Sequence, residues 1–278
     1  MSTMSSNDAQ IDYWNGRAGG TWAAMQKALD AMLAPVTSEL TKRVGAVASK
    51  RVLDIGCGTG ETCAIWLSGG ASVTGVDISQ PMLAVAANRV QGKATLIEAD
   101  ASRWMGDAPF DLAVSRFGVM FFADPFTAFA NIARNIRPDG RMVFACWRAA
   151  SENPWATTPI GAVRDLVPEA PPPVPHAPGP FGLADKERLR TILDGAGFVD
   201  VTIEPFDCDA TLASEGGVDT AVSFVMHVGP AGAALAEANE ETRATAARRL
   251  RDALAPFEKD GRVALGGAVW MVEARRSA

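Results

Sequence analysis

The stretch RVLDIGCGTGE, residues 51 to 61, constrains the fold more than any other: a short apolar run passes without a linker into a turn with glycine at 56, 58 and 60, and an amphipathic segment follows. A strand feeding a helix through a tight turn is half of a parallel βαβ unit. The pattern recurs, with apolar runs SVTGVD (72 to 77), ATLIEAD (94 to 100), FDLAVS (110 to 115) and GRMVFACW (140 to 147). Helices are predicted near 60 to 69, 81 to 91 and 125 to 136, the last stopped by Pro138 and followed by the turn RPDGR. Two further strands, FVDVTIEPF (198 to 206) and AVWMVEARR (268 to 276), lie beyond a helix near 185 to 196 that ends at Gly195 and Gly197. The expectation is an open α/β sheet with helices on both faces. A segment over 10 to 48, aromatic early and helical later, precedes the first strand.

At 278 residues and 48% hydrophobic, the chain is long enough for one sizeable core plus insertions. Two insertions interrupt the alternation. Residues 149 to 184 hold PEAPPPVPHAPGPFG, whose prolines stiffen the backbone into a loop or strap. Residues 209 to 260 hold an Ala/Arg/Glu-rich helical stretch. Each is expected to serve either as a lid over the strand ends or as packing or the surface of a homodimer. The net charge of −6 and the lack of a Lys/Arg cluster argue against nucleic acid as a partner. No long apolar span and no basic-then-apolar start are visible, so no membrane partner is expected and the location is expected to be cytoplasmic. Cys57, Cys63, Cys146 and Cys208 form no CxxC pair, and with only His176 and His227 beside them no zinc cage has a plausible spacing. Reduced thiols and no metal are expected.

Ligands of open parallel sheets bind beyond the carboxyl ends of the strands. A dinucleotide fingerprint would place glycine at 61, where this chain has Glu61. With Asp54 on the other side of the turn, a pyrophosphate would meet two negative charges, so the turn prefers a neutral or cationic ligand. S-adenosyl-L-methionine, an adenosine carrying a sulfonium and an ammonium but no phosphate, satisfies this. Asp77, ending the second strand, is placed to accept from both ribose hydroxyls, a feature shared with NAD sites. Asp100 is placed to accept from the adenine amino group, and Met82 to lie over the ring as a polarizable contact. Either acid alone also reads as a solvated strand end or a helix cap.

The segments VLDIGCGTGE, VTGVDIS, EADAS, FDLAVSRFGVMFFADP and IRPDGRMVFACW resemble, in order and spacing over about 50 to 147, the motifs of class I S-adenosylmethionine-dependent methyltransferases, closest to the small-molecule branch of ubiquinone and menaquinone biosynthesis. YWNGRAGGTWAAMQKALDAMLAP is similar to the entry segment of many bacterial members. The resemblance implies a Rossmann-like seven-stranded sheet of order 3-2-1-4-5-7-6 with the last strand antiparallel. The expected organisation is a helical cap segment over 1 to 48 and a methyltransferase domain over 49 to 278, with the insertions at 149 to 184 and 209 to 260, the second read as a lid between the last two strands. Cofactor contacts are implied at Gly56, Cys57, Gly58, Asp77, Ile78, Met82, Asp100, Ala101 and Ser115. Trp14 and Trp22, with Tyr13, either close over the cofactor or pin the helix as core aromatics; an aromatic face beside a sulfonium is electrostatically favourable. Enzymes that methylate exocyclic base nitrogens carry an Asn/Asp-Pro-Pro-Tyr/Phe element where this chain reads Ser115-Arg116-Phe117-Gly118, which disfavours that activity.

The expected partner is a small, partly apolar methyl acceptor. Positioning supplies much of the catalysis for transfer from a sulfonium, and a base is needed only for a phenol or an acidic carbon. His227, in SFVMHVGP, is the candidate base or acceptor-orienting residue; the competing reading is a capping or buried histidine. Arg116 either binds a carboxylate of the ligand or serves as a structural ion-pair partner. Phe117, Met120, Phe121, Trp147, Trp155, Phe224 and Met226 are candidates for the acceptor wall or for the core. The alternatives are an NAD(P)-binding oxidoreductase, opposed by Glu61, and a non-catalytic module that binds S-adenosylmethionine.

Overall fold

The computed structural model describes residues 7–169 and 174–278. Three helices come first, α1 (Asp8–Asn15), α2 (Arg17–Ala24) and α3 (Gln26–Val44). Then β1 (Arg51–Ile55), α4 (Glu61–Ser68), β2 (Ser72–Asp77), α5 (Gln80–Val90), β3 (Thr95–Glu98), β4 (Phe110–Arg116), α6 (Pro125–Asn135) and β5 (Ile136–Trp147) alternate. The remainder comprises α7 (Pro154–Val163), α8 (Lys186–Gly195), β6 (Phe198–Ala213), α9 (Gly217–Val225), α10 (Gly229–Ala234), α11 (Glu240–Leu254), the two-residue β7 (Glu258–Lys259) and β8 (Arg262–Arg276). The sheet runs β3-β2-β1-β4-β5-β8-β6, with β7 paired to β8 alone. The first five strands are parallel, and β8 lies antiparallel between β5 and β6. Apart from the two-residue β7, this is the expected order.

The apolar runs read as continuous because both faces of the sheet are covered. Successive residues of one strand enter different cores: Leu53, Ala113, Met142 and Phe144 join the cluster that holds Phe129 and Ile132 of α6 and Leu189 of α8, whereas Val52, Leu112, Val114 and Val143 join the one that holds Leu40 and Val44 of α3 with Cys63 and Trp66 of α4. Caps fix where the helices begin. Asp124 accepts from the amides of Phe126 and Thr127 with Pro125 at the first turn of α6, and Asp185 accepts from Glu187 and Arg188 at α8.

The last two strands run further than their sequence suggests, to 213 in β6 and from 262 in β8. Residues 207 to 213 and 262 to 268 pair with each other beyond the edge of β5, in an arm whose residues 210 to 213, 263, 265, 267 and 268 are buried; Asp207, Asp209, Gly266 and Gly267 interrupt the apolar alternation. Helices α9 to α11 sit at the end of this arm and pack with α7, which lies in the first insertion. Residues 170 to 173 of that proline-rich run are outside the described residues.

Two backbone turns meet at the carboxyl ends of β1 and β4. A Cβ on Gly56 would lie 2.6 Å from the Gly118 Cα, and one on Gly118 would lie 2.7 Å from the Gly56 Cα and from the Ile55 carbonyl oxygen. Neither position has room for a methyl group. Gly118→Ala is expected to lower the unfolding free energy by about 1–3 kcal/mol, the usual range for overpacking. Urea titration checks this, and stability equal to wild type would show that the two turns part freely.

Candidate active site

The turn after β1 is shaped by three glycines in the left-handed region, Gly56, Gly58 and Gly60, with φ of 64°, 54° and 78°. Its amides at Gly56 and Cys57 donate to the Val76 carbonyl at 2.8 and 3.2 Å, tying the turn to β2. Gly60 abuts α5, where a Cβ would lie 2.9 Å from the Ala86 methyl, whereas at Gly58 the nearest atom would be the Met82 sulfur at 3.8 Å. Gly58 therefore faces open space over Met82. That space belongs to a cleft of about 110 Å³ lined from the ends of β1, β2 and β4 and from the N-terminal helices.

Asp77 is the hub of the cleft wall. One carboxylate oxygen accepts from the Gly58 amide at 2.8 Å and the other from Ser79 at 2.9 Å, so the loops after β1 and β2 hold each other. Two of its four lone-pair directions remain, enough for a diol. Burial raises its pKa above the ordinary carboxylate value, and the backbone amides of Ser79, Gly58 and Ile78 partly offset the rise. On the β3 side, one oxygen of Asp100 accepts from the Ser102 amide and from the Asn7 side-chain amide, each at 2.9 Å.

Helices α1 and α2 roof the cleft by hydrogen bonds rather than by packing alone. Ser79 Oγ donates to the Trp14 carbonyl at 2.7 Å, and the Asn15 side chain donates to the Ile78 carbonyl at 2.7 Å while accepting from the Gln80 amide at 2.9 Å. Trp14 stands edge-on to Trp22 at 5.6 Å and to Phe121 at 5.0 Å, so three aromatic rings close one side. A Cβ on Gly19 would sit 2.6 Å from Ser79 Oγ, which is why α2 approaches this loop so closely only with glycine there. Arg17, on α2, donates to the Ala236 carbonyl at 2.5 Å, joining the roof to the segment after α10.

The floor is acidic. Asp54, wholly buried under the turn, has its pKa pushed up to about 6 by desolvation, against hydrogen bonds from Thr62 and Cys63 and the charge of Arg116. Burial likewise raises Glu61, opposed by Arg116. Among the described residues, Asp30, Asp77 and Asp100 line the cleft against a single cation, Arg116, which is ion-paired with Glu61 and donates to Thr37 Oγ1 at 2.7 Å. Arg116 thus both lines the cleft and has an ion-pair partner, and Asp30 is itself paired with Arg89 at 2.6 Å.

Ten of the eleven residues expected at the cofactor come together on this one cleft: Trp14, Trp22, Gly56, Cys57, Gly58, Asp77, Ile78, Met82, Asp100 and Ala101. Ser115 does not reach it; fully buried, its hydroxyl donates to the Ile55 carbonyl at 2.8 Å and steadies the turn from behind. His227 is also outside. It follows α9 as an exposed residue whose Nδ1 bonds the Ser223 carbonyl at 2.8 Å, the capping arrangement, and it is absent from the cleft wall. Phe117 and Phe121 line the cleft, whereas Trp147 and Trp155 are buried behind Phe117, in a stack with centroids 4.3 and then 4.9 Å apart. Phe117 has φ of 69°, rare for a bulky residue, and this conformation turns its ring between the cleft and Trp147. Phe224 faces a separate groove with Met25 and Leu212. Sequence reasoning missed Asn7, Gln10 and Asp30, which line the cleft from the N-terminal helices. Single polar residues on an amphipathic helix carry no signal that separates them from a solvated face.

Residues 53–144 match the family model described as a methyltransferase domain. The chain is 32% identical over 177 residues to the O-methyltransferase cnsE of Penicillium expansum, covering 60% of this chain and 59% of that protein. It is 31% identical over 127 residues to the demethylmenaquinone methyltransferase of Clavibacter sepedonicus, covering 45% and 49%. The chain spans about half the length of the curated relatives it matches. In fold it is similar to phosphoethanolamine N-methyltransferase 2 of Haemonchus contortus in complex with S-adenosyl-L-methionine, with a TM-score of 0.58 at 18% identity, covering 99% of this chain and 61% of that one.

The buried floor acid makes stability depend on pH. A carboxyl whose pKa rises on folding binds its proton more tightly in the folded state. Its stabilising contribution is complete below about pH 4 and is lost as the pH climbs through about 6. Asp54→Asn, which keeps the shape without the charge, should therefore gain on wild type as pH rises. The difference in unfolding free energy is expected to move in the variant's favour by up to ~3 kcal/mol between pH 4 and pH 8. Urea titrations across that range measure it, and a difference independent of pH would mean that burial does not penalise the charge.

Proposed function

We propose that this chain, in which residues 53–144 form a methyltransferase domain of the class I, S-adenosylmethionine-dependent type, binds S-adenosylmethionine in the cleft beneath α1 and α2 and methylates a small, partly apolar molecule. The observation that carries the reading is the charge of the cleft: among the described residues three carboxylates line it, a fourth lies under its turn, and the one guanidinium on its wall is already paired. Such a wall repels a pyrophosphate and attracts a sulfonium and an ammonium. The fit extends to shape, since Gly58 leaves open the space that a side chain would fill, and to the buried Asp100 oxygen Oδ2, which has no hydrogen bond within the chain.

In this reading Asp77 holds the ribose diol, Asp100 the adenine amino group, and Met82 lies against the ring. Bound there, the cofactor supplies a methyl group on a sulfonium, whose departure as a thioether needs no proton. The chain's own part is to orient the partners and to exclude water, the work of Trp14, Trp22, Phe117 and Phe121. Well-oriented pairs reach effective molarities of about 10⁵–10⁸ M. Among the described residues, no histidine, tyrosine or lysine lines the cleft, which supports an acceptor that arrives already nucleophilic. O-, N- and C-acceptors all remain within the proposal. The net charge of −6 supports a small molecule over nucleic acid as the partner, and the four free cysteines support a cytoplasmic location.

Calorimetric titration with S-adenosylhomocysteine and, separately, NADH tests the cofactor: binding of the first and not the second is expected. Asp77→Ala should weaken that binding at least tenfold, since hydrogen bonds to a charged group each contribute roughly 1.5–3 kcal/mol. Unchanged affinity in a folded variant would remove Asp77 from the ribose. Incubation of the protein with methyl-labelled cofactor and a metabolite extract, read by mass spectrometry, identifies the acceptor. No labelled product from any extract would leave a binding module rather than an enzyme.

A further inference from the structure

Two residues that line the cleft, from different parts of the fold, carry buried acceptor atoms without a hydrogen bond. Asp100, after β3, presents Oδ2 without a hydrogen bond; its nearest cation, Arg103 Nε, stands at 3.6 Å, and its side chain is 11% exposed. Gln10, on α1, presents Oε1, also buried and without a hydrogen bond. Both residues line the cleft. A buried amide or carboxylate oxygen left unpaired is destabilising, so two such atoms on residues that line one cleft mark a place built to meet donors.

The two are brought together by Asn7. It occupies the N-cap position of α1 and does not cap the helix with its side chain. Instead its Nδ2 donates to Asp100 Oδ1 at 2.9 Å and its Oδ1 accepts from the Ala123 amide at 2.8 Å. The Gln10 amide donates to the Asn7 carbonyl at 2.9 Å, so Gln10 lies one turn further along the same face. Docking Asn7 on Asp100 thus delivers Gln10 to the same wall.

We infer that Gln10 and Asp100 form a two-acceptor clamp for the exocyclic amino group of a 6-aminopurine, so that the N-terminal helix takes part in selecting adenine. This rests on the methyltransferase reading and deepens it. An amino group has two N–H bonds; one is directed to the sheet through Asp100 Oδ2 and the other to the roof through Gln10 Oε1. A 6-oxopurine has no donor on that exocyclic atom and would set its oxygen against both acceptors.

The test compares S-adenosylhomocysteine with S-inosylhomocysteine, its 6-oxo counterpart, by calorimetry on the full chain. Wild type is expected to favour the adenosyl compound by a hundredfold or more. Gln10→Ala should cut that ratio by roughly tenfold, the worth of one such hydrogen bond, by losing affinity for the adenosyl compound while the inosyl compound changes little. Gln10→Glu, which keeps an acceptor and discards the donor, should retain the ratio and guards against a variant that merely folds poorly. A Gln10→Ala ratio equal to wild type, or a Gln10→Glu ratio as low as that of Gln10→Ala, overturns the clamp. If wild type binds neither compound, the methyltransferase reading fails first, and the clamp with it.

Discussion

The contact on which the rest of the cleft depends is the meeting of two backbones at Gly56 and Gly118. With no side chain between them, the turn after β1 lies directly on the turn after β4, and Ser115 bonds the Ile55 carbonyl just beneath. That contact sets the height of the glycine turn. The height then lets the Gly58 amide reach Asp77, and Asp77 in turn fixes the loop into α5 through Ser79. Ser79 completes the series by holding the Trp14 carbonyl, so the position of the roof follows from a close approach on the other side of the sheet end.

The acidic floor pulls against this order. A carboxylate with the burial of Asp54 opposes folding near neutral pH, and a chain selected only for stability would have little reason to retain it there. The same charge attracts a cationic ligand, and binding to the native state offsets the penalty by mass action. Stability and recognition are therefore opposed at one residue and reconciled by occupancy.

Much of this was legible in the sequence because the information is local. A five-residue run, three alternate glycines and an acid at the end of each of the next two runs specify strand, turn and ligand wall within a few residues of one another. Ser115 shows where locality fails: its position after β4 matches a cofactor contact, but whether its hydroxyl points to the ligand or to Ile55 is settled by a neighbouring strand. His227 failed for a similar reason, since a histidine near an apolar flank looks the same whether it faces a pocket or caps its own helix. Asn7 and Asp30 were invisible because their partners lie dozens of residues away, and Gln10 because its place on the cleft follows from where Asn7 docks. The added length of β6 and β8 was masked because Asp207 and Asp209 in one strand and Gly266 and Gly267 in the other break the apolar alternation of the arm they form.

The strand order also has a consequence for how the molecule is made. Strand β8 lies between β5 and β6, so the neighbour that β5 requires is synthesised last of the three. At translation rates of about 5–20 residues per second, β5 waits on the order of ten seconds with an open edge while the intervening helices emerge. An open edge is a template for pairing with other chains. Until β8 arrives, β6 has no place in the sheet, and the nascent chain depends on α3 over one face of β5 and α6 over the other for shelter.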